Sequence, residues 1–133
     1  MITRAETIPV TSGNDVIRVR QVVREAALAA GLSLVDQTKI VTAASELARN
    51  TLDYGGGGEV TVEVHENGTR RGVRAIFADS GPGIADIEQA LRDGYTSGGG
   101  LGLGLGGARR LSNEFEIKSA PGEGTRVSIA RWK

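Results

Sequence analysis

The sequence contains no cysteine. That excludes disulfides, thiolate metal sites and a cysteine nucleophile together. Only three prolines, one histidine and one tryptophan occur in its 133 residues. Lysine plus arginine balances aspartate plus glutamate at 16 each, for a formal net charge of zero. No global field therefore draws the chain to nucleic acid or to a membrane surface. No run approaches the roughly 18 apolar residues of a membrane span, and the opening Met1–Glu6 lacks the apolar centre of a signal peptide. The expectation is a soluble, cytoplasmic protein with neither a nucleic-acid nor a membrane partner. Its length fits one domain spanning 1–133, large enough to bury a core without staples.

Glycine, by contrast, is abundant: 20 of 133 residues, or about 15% against an average near 7%. Ten glycines fall between Gly81 and Gly107, and four form the run Gly55–Gly58. Apolar segments flank both clusters, so this is not a disordered low-complexity chain. Glycine gathers where a backbone bends sharply or comes close to something.

The opening segment, Ile2–Val10, reads as a short strand. Apolar residues from Val16 to Ala30 recur with helical spacing, and Gly31 is a natural stop. A second helix, with Asp36 as its cap, runs to about Leu52 and carries Ile40, Ala43, Ala44, Leu47, Ala48 and Thr51 on one face. Glu59–Glu66 alternates strictly and Gly72–Asp79 is the next strand, giving a hairpin with a longish loop at Asn67-Gly68. Ser80–Gly83 breaks the chain, and Ile84–Leu91 makes one or two helical turns. A loop over Gly94–Gly100 and a helix over Leu101–Leu111 follow. Glu114–Ser119 and Thr125–Ala130 close the chain as two strands. This order predicts a single-domain α/β two-layer sandwich, with helices on one face of a mixed, mostly antiparallel sheet. Trp132 is expected to pack against the first strand, and His65 to be an exposed strand residue.

Three elements carry chemistry. Glu46 and Asn50 are four residues apart on the second helix, about 40° apart around its axis. They either sit on a solvated face or point into a pocket between helix and sheet. A carboxylate and an amide oxygen suit a hard ion such as Mg²⁺. Asp79-Ser80-Gly81-Pro82-Gly83-Ile84 follows an apolar strand. It is either an ordinary turn with a capping aspartate or an acceptor for an exocyclic amine, with Gly81 and Gly83 admitting a flat ligand. Gly98–Gly107 alternates with Leu101, Leu103 and Leu105 into a helix. Glycine costs about 1 kcal/mol inside a helix, so such a stretch needs a reason, and a phosphate-binding loop is one. It has neither a Walker A motif nor a dinucleotide fingerprint.

Taken in order, Ser45–Asn50, Asp79–Ile84, Gly98–Gly106 and Gly122–Thr125 resemble the ATP site of the GHKL superfamily across essentially the whole chain. Details narrow the resemblance. Asp36–Ile40, Ser45–Asn50, Ser97–Gly102, Arg110–Phe115 and the ending Gly122–Lys133 are similar to RsbT-type switch kinases. These are small serine/threonine protein kinases of bacterial partner-switching and stressosome systems, related to RsbW- and SpoIIAB-type anti-sigma-factor kinases.

The resemblance implies ATP and Mg²⁺ as cofactors. Asn50 would hold the Mg²⁺, and Glu46 would be the general base for the protein substrate's hydroxyl. Asp79 would bind the adenine amino group, with Gly81 and Gly83 beneath the base. Gly98, Gly100, Gly102 and Gly104 would lie along the phosphates, and Thr125 would fix the adenine through water. The substrate implied is a STAS-domain antagonist, with a PP2C-type phosphatase as a second partner. The rival implication is an anti-sigma factor that sequesters a sigma factor and phosphorylates its antagonist. The segment Gly94–Gly100 is short and lacks lysine or arginine, which argues against an ATP-driven clamp. A lone histidine in an alternating strand argues against a histidine kinase. Arg49, Arg109 and Arg110 are candidates for charge near the phosphates, with solvated helix faces as the competing reading.

Overall fold

The computed structural model describes residues 1–92 and 104–133. The expected loop Gly94–Gly100, the start of the helix at 101–103, and the candidate residues Gly98, Gly100 and Gly102 all lie outside the described residues.

Strand β1 (Ile2–Val10) leads into helix α1 (Gly13–Ala29). The helix begins three residues earlier than apolar spacing predicts, because Asp15 organises its entry. The Asp15 carboxylate accepts the N–H of Thr11 at 2.8 Å, the Thr11 hydroxyl at 3.0 Å and the N–H of Ser12 at 3.1 Å. Those donors hold the carboxyl below its ordinary pKa, with the Thr11 N–H the largest cause. Helix α2 spans Leu34–Asp53. Its cap is Ser33, whose hydroxyl accepts the N–H of Asp36, so Asp36 is not the cap. The Asp36 carboxylate instead receives Arg131 Nε at 3.1 Å and Nη2 at 2.9 Å. That partner is 95 positions away, beyond any local pattern.

Strands β2 (Gly58–Asn67) and β3 (Arg70–Asp79) form a tight hairpin whose final pair is Asn67 with Arg70. The longish loop expected here is absent. Arg71 bonds Glu66 at 2.5 Å and Arg70 lies 3.6 Å from Glu114, so polar residues prolong the strands beyond the apolar alternation. A single turn, α3 (Ile87–Ala90), is capped by Asp86, and α4 covers Gly104–Arg110. Strands β4 (Glu114–Ser119) and β5 (Thr125–Trp132) complete the chain.

The sheet order is β1-β2-β3-β5-β4, and all four pairings are antiparallel rather than mixed. The helical hairpin α1–α2 between β1 and β2 makes two passes, returning the chain antiparallel to its start. Val60, Val62, Val64, Val73, Ala75, Phe77, Val127 and Ile129 are buried on one sheet face against Val19, Val23, Ile40, Ala44 and Leu47 of the helices. Each large side chain so buried contributes about 1.5–3 kcal/mol.

The opposite face is polar. There Trp132 lies over Gly72 of β3 rather than against the first strand, since a Cβ at Gly72 would stand 2.6 Å from the indole. Arg70 stacks on this ring at 4.2 Å and the indole N–H donates to Glu114. His65 is half-buried, not exposed: its Nε2 lies 2.8 Å from Glu63 Oε1, and its ring meets Trp132 edge-on. Among the described residues no helix is long and apolar enough to cross a membrane.

Candidate functional site

Strand alternation sets the site. On β3, residues 73, 75 and 77 face the helices, and Asp79 continues that row past the end of the core. On β5, Thr125 does the same outside Val127 and Ile129. Asp79 and Thr125 are paired across the ladder, and Gly58 of β2 stands opposite Asp79 on the other side. A cavity of about 330 Å³ opens above this end of the sheet, within the size range of small-molecule sites.

Phe77, Val127, Asp79 and Thr125 form its floor, while Leu47, Asn50, Thr51 and Tyr54 of α2 form one wall. Pro82, Gly83, Ile84, Ala85 and Asp86 lead from β3 to α3, and Gln89, Ala90, Gly104 and Leu105 close the far side. The cavity is thus an apolar slot with a polar end. Asp79 and Asp86 are the only ionisable carboxyls among the described lining residues, and no lysine or arginine is among them.

Five of the sequence-predicted residues meet here: Asn50, Asp79, Gly83, Gly104 and Thr125. Gly81 stands just behind them, its N–H donating to Asp79 Oδ1 at 2.9 Å. Glu46 is buried one turn before Asn50 on α2, beyond the residues that line the cavity. Arg49, Arg109 and Arg110 do not line it either; Arg109 and Arg110 are exposed at the end of α4.

The structure adds residues that sequence reasoning passed over. A Cβ at Gly55 would stand 2.4 Å from Asp79 Cγ, so the bare backbone of Gly55 walls in that carboxyl. Its signal in the sequence is the glycine run Gly55–Gly58 that follows the second helix. Gly83 has φ +78°, and a Cβ there would stand 2.0 Å from the carbonyl oxygen of Ala120. The loop after β3 therefore packs backbone to backbone on the β4–β5 turn. Two bonds fix that contact: Gly122 N–H to the Pro82 carbonyl at 2.8 Å, and Ile84 N–H to Ser119 Oγ at 2.8 Å.

Residues 35–133 match the family described as histidine kinase-, DNA gyrase B-, and HSP90-like ATPase, and the chain belongs to that family. It is 42% identical over 118 residues to serine/threonine-protein kinase RsbT of Bacillus subtilis (strain 168), covering 89% of each chain. It is 30% identical over 99 residues to the anti-sigma F factor of Thermoanaerobacter sp. (strain X514), covering 70% of this chain and 68% of the relative. Two solved structures share the fold. The RsbU and RsbW domains of Rv1364c from Mycobacterium tuberculosis match with a TM-score of 0.65 at 22% identity, over 97% of this chain and 32% of that one. The SiaB-SiaC complex from Pseudomonas aeruginosa matches with a TM-score of 0.53 at 17% identity, over 99% and 91%. The expected superfamily, the resemblance to RsbT-type kinases and the enzyme class, an ATP-using protein serine/threonine kinase, are borne out by these similarities.

Proposed function

We propose that this chain is a Mg²⁺-ATP-dependent kinase that phosphorylates a serine or threonine of a STAS-domain antagonist in a partner-switching pathway. Once released from that antagonist, it binds and activates a PP2C-type phosphatase. The observation that carries this reading is the cavity itself, an apolar slot ending at Asp79 and Thr125 with Asn50 on its helical wall. The similarity to RsbT over 89% of the chain supports the choice of reaction.

In this reading the slot takes adenine. Asp79 accepts from its amino group, Gly81 and Gly83 lie beneath the base, and Thr125 closes the edge. Gly98, Gly100, Gly102 and Gly104 follow the phosphates. Among the described residues no three histidine, aspartate or glutamate side chains converge as a metal site. That fits an ion arriving with its nucleotide, since Mg²⁺ takes much of its shell from phosphates and water. Asn50 would add one amide oxygen. When bound, the ion offsets phosphate charge, which matters in a cavity whose described lining holds two carboxyls and no cation.

Glu46 takes the proton as the substrate hydroxyl oxygen bonds the γ-phosphorus and the bond to the ADP oxygen breaks. Phosphoryl transfer of this kind depends mainly on positioning and charge stabilisation. The product carries about −1.5 to −2 extra charge. Like-charge repulsion and desolvation then separate it from the kinase, freeing the surface for the phosphatase.

A second reading, sequestration of a sigma factor with phosphorylation resetting the complex, is favoured by the similarity to an anti-sigma F factor at 30% identity. Size-exclusion chromatography of the chain with a purified STAS-domain protein, PP2C-type phosphatase and sigma factor from the same genome separates the two. The proposal predicts a STAS complex that dissolves on adding Mg²⁺-ATP, and a phosphatase complex thereafter. A stable sigma-factor complex and no phosphatase complex would favour the second reading.

A further inference from the structure

One hydroxyl ties together the segments at the polar end of the cavity. Ser119, the last residue of β4, has its Oγ 2.8 Å from Ile84 N, 3.0 Å from the Gly124 carbonyl oxygen and 2.8 Å from Thr125 Oγ1. A serine hydroxyl has one hydrogen and two lone pairs. The Ile84 N–H can only donate, so it takes one lone pair. The Gly124 carbonyl can only accept, so it takes the single hydrogen. What remains for Thr125 is the second lone pair, and Thr125 must donate its own hydrogen to Ser119.

With that hydrogen committed, Thr125 Oγ1 has only lone pairs left for the cavity. Its partner across the ladder, Asp79, is likewise an acceptor, with Oδ1 already receiving the Gly81 N–H. The last β3–β5 pair therefore presents side-chain acceptors and no side-chain donor.

We propose that Ser119 is a specificity-determining positioning residue. By fixing the polarity of Thr125, it makes the Asp79–Thr125 pair an acceptor edge that selects a purine with an amino group at C6 over one with a carbonyl. This rests on the reading of the cavity as an ATP site and deepens it. A carbonyl at C6 would set its oxygen against lone pairs, and a buried acceptor left without a donor is penalised. Ser119 acts through Thr125 and does not touch the nucleotide.

The test is the ratio of affinities for ATP and inosine triphosphate, by isothermal titration calorimetry with Mg²⁺. The proteins are the wild type, Ser119→Ala, Ser119→Thr, Thr125→Val and the Ser119→Ala/Thr125→Val double variant, each checked for folding by near-UV circular dichroism. The wild type is expected to prefer ATP by at least about tenfold. Ser119→Ala narrows that ratio by about fivefold, because Thr125 regains a hydrogen that can turn to a carbonyl. Ser119→Thr keeps the wild-type ratio. In the Thr125→Val background, Ser119→Ala leaves the ratio unchanged, as a coupled pair requires. Should Ser119→Ala fail to fold, Ser119→Cys, a poor acceptor, must narrow the ratio in the same direction. If both affinities fall together in Ser119→Ala with the ratio intact, Ser119 is only a structural tie and the inference is overturned. A wild type that binds neither nucleotide overturns the ATP reading as well.

Discussion

Asp79 and Thr125 face each other as the outermost pair of the β3–β5 ladder, on the sheet face that holds Phe77 and Val127 farther in. The apolar core thus changes to a polar edge within a single step of the strand repeat. Cross-strand pairs of this kind bring their Cβ atoms to about 4.5–5.5 Å, close enough for both groups to address one ligand edge.

Replacing Asp79 by Asn tests that edge directly. The Asn oxygen can still accept the Gly81 N–H, so the thermal midpoint should change little. One charged acceptor is lost, however, and such bonds contribute about 1.5–3 kcal/mol. ATP affinity measured by titration calorimetry should fall about ten- to hundredfold. Unchanged affinity would remove Asp79 from the nucleotide site.

Gly55→Ala perturbs the same carboxyl from outside. The new Cβ would stand 2.4 Å from Asp79 Cγ, so the aspartate must turn away. We expect ATP affinity to fall about as far as in Asp79→Asn, with a stability loss of about 1–3 kcal/mol from overpacking. Gly13→Ala is the control: a Cβ at Gly13 meets nothing within 4 Å, and neither binding nor stability should suffer. Full ATP binding by the Gly55→Ala protein would show that the Asp79 side chain is not confined as described.

Acid should destabilise the fold at two identifiable carboxyls. Backbone and side-chain donors from Thr11 and Ser12 hold the Asp15 pKa down, and Arg74 with the Trp132 indole holds that of Glu114 down. A depressed folded-state pKa contributes stability that is present above the ordinary carboxylate range, about pH 4, and is lost as pH falls through the folded value. Thermal midpoints of the wild type and of Asp15→Ala or Glu114→Gln should therefore differ most near neutral pH and converge in acid. A gap that widens in acid would contradict the assignment.

Much of this architecture was legible in the sequence because the core obeys simple periods. The valines of β2 and the spaced apolar residues of α1 and α2 marked their elements, and every helix and strand expected among the described residues is present. Ends were less legible, since charges set them: Arg131 claims Asp36 from the far end of the chain, and Arg70 and Arg71 extend β3 through partners on β2 and β4. Of the site, Asn50, Asp79 and Thr125 stood out by residue type and order. Gly55 and Ser119 did not, because their roles lie in backbone approach and in hydrogen-bond geometry across the fold. Trp132 over Gly72 is another pairing that only strand register makes visible.

Phosphoryl transfer with Glu46 as base is read out by intact-mass spectrometry of the acceptor protein. A STAS-domain protein from the same genome is incubated with Mg²⁺-ATP and either the wild-type chain or Glu46→Gln. A gain of one phosphate is expected with the wild type and none with the variant, although both bind ATP. An equal gain with Glu46→Gln would contradict the base assignment, and no gain with an ATP-bound wild type would contradict the kinase reading for that substrate.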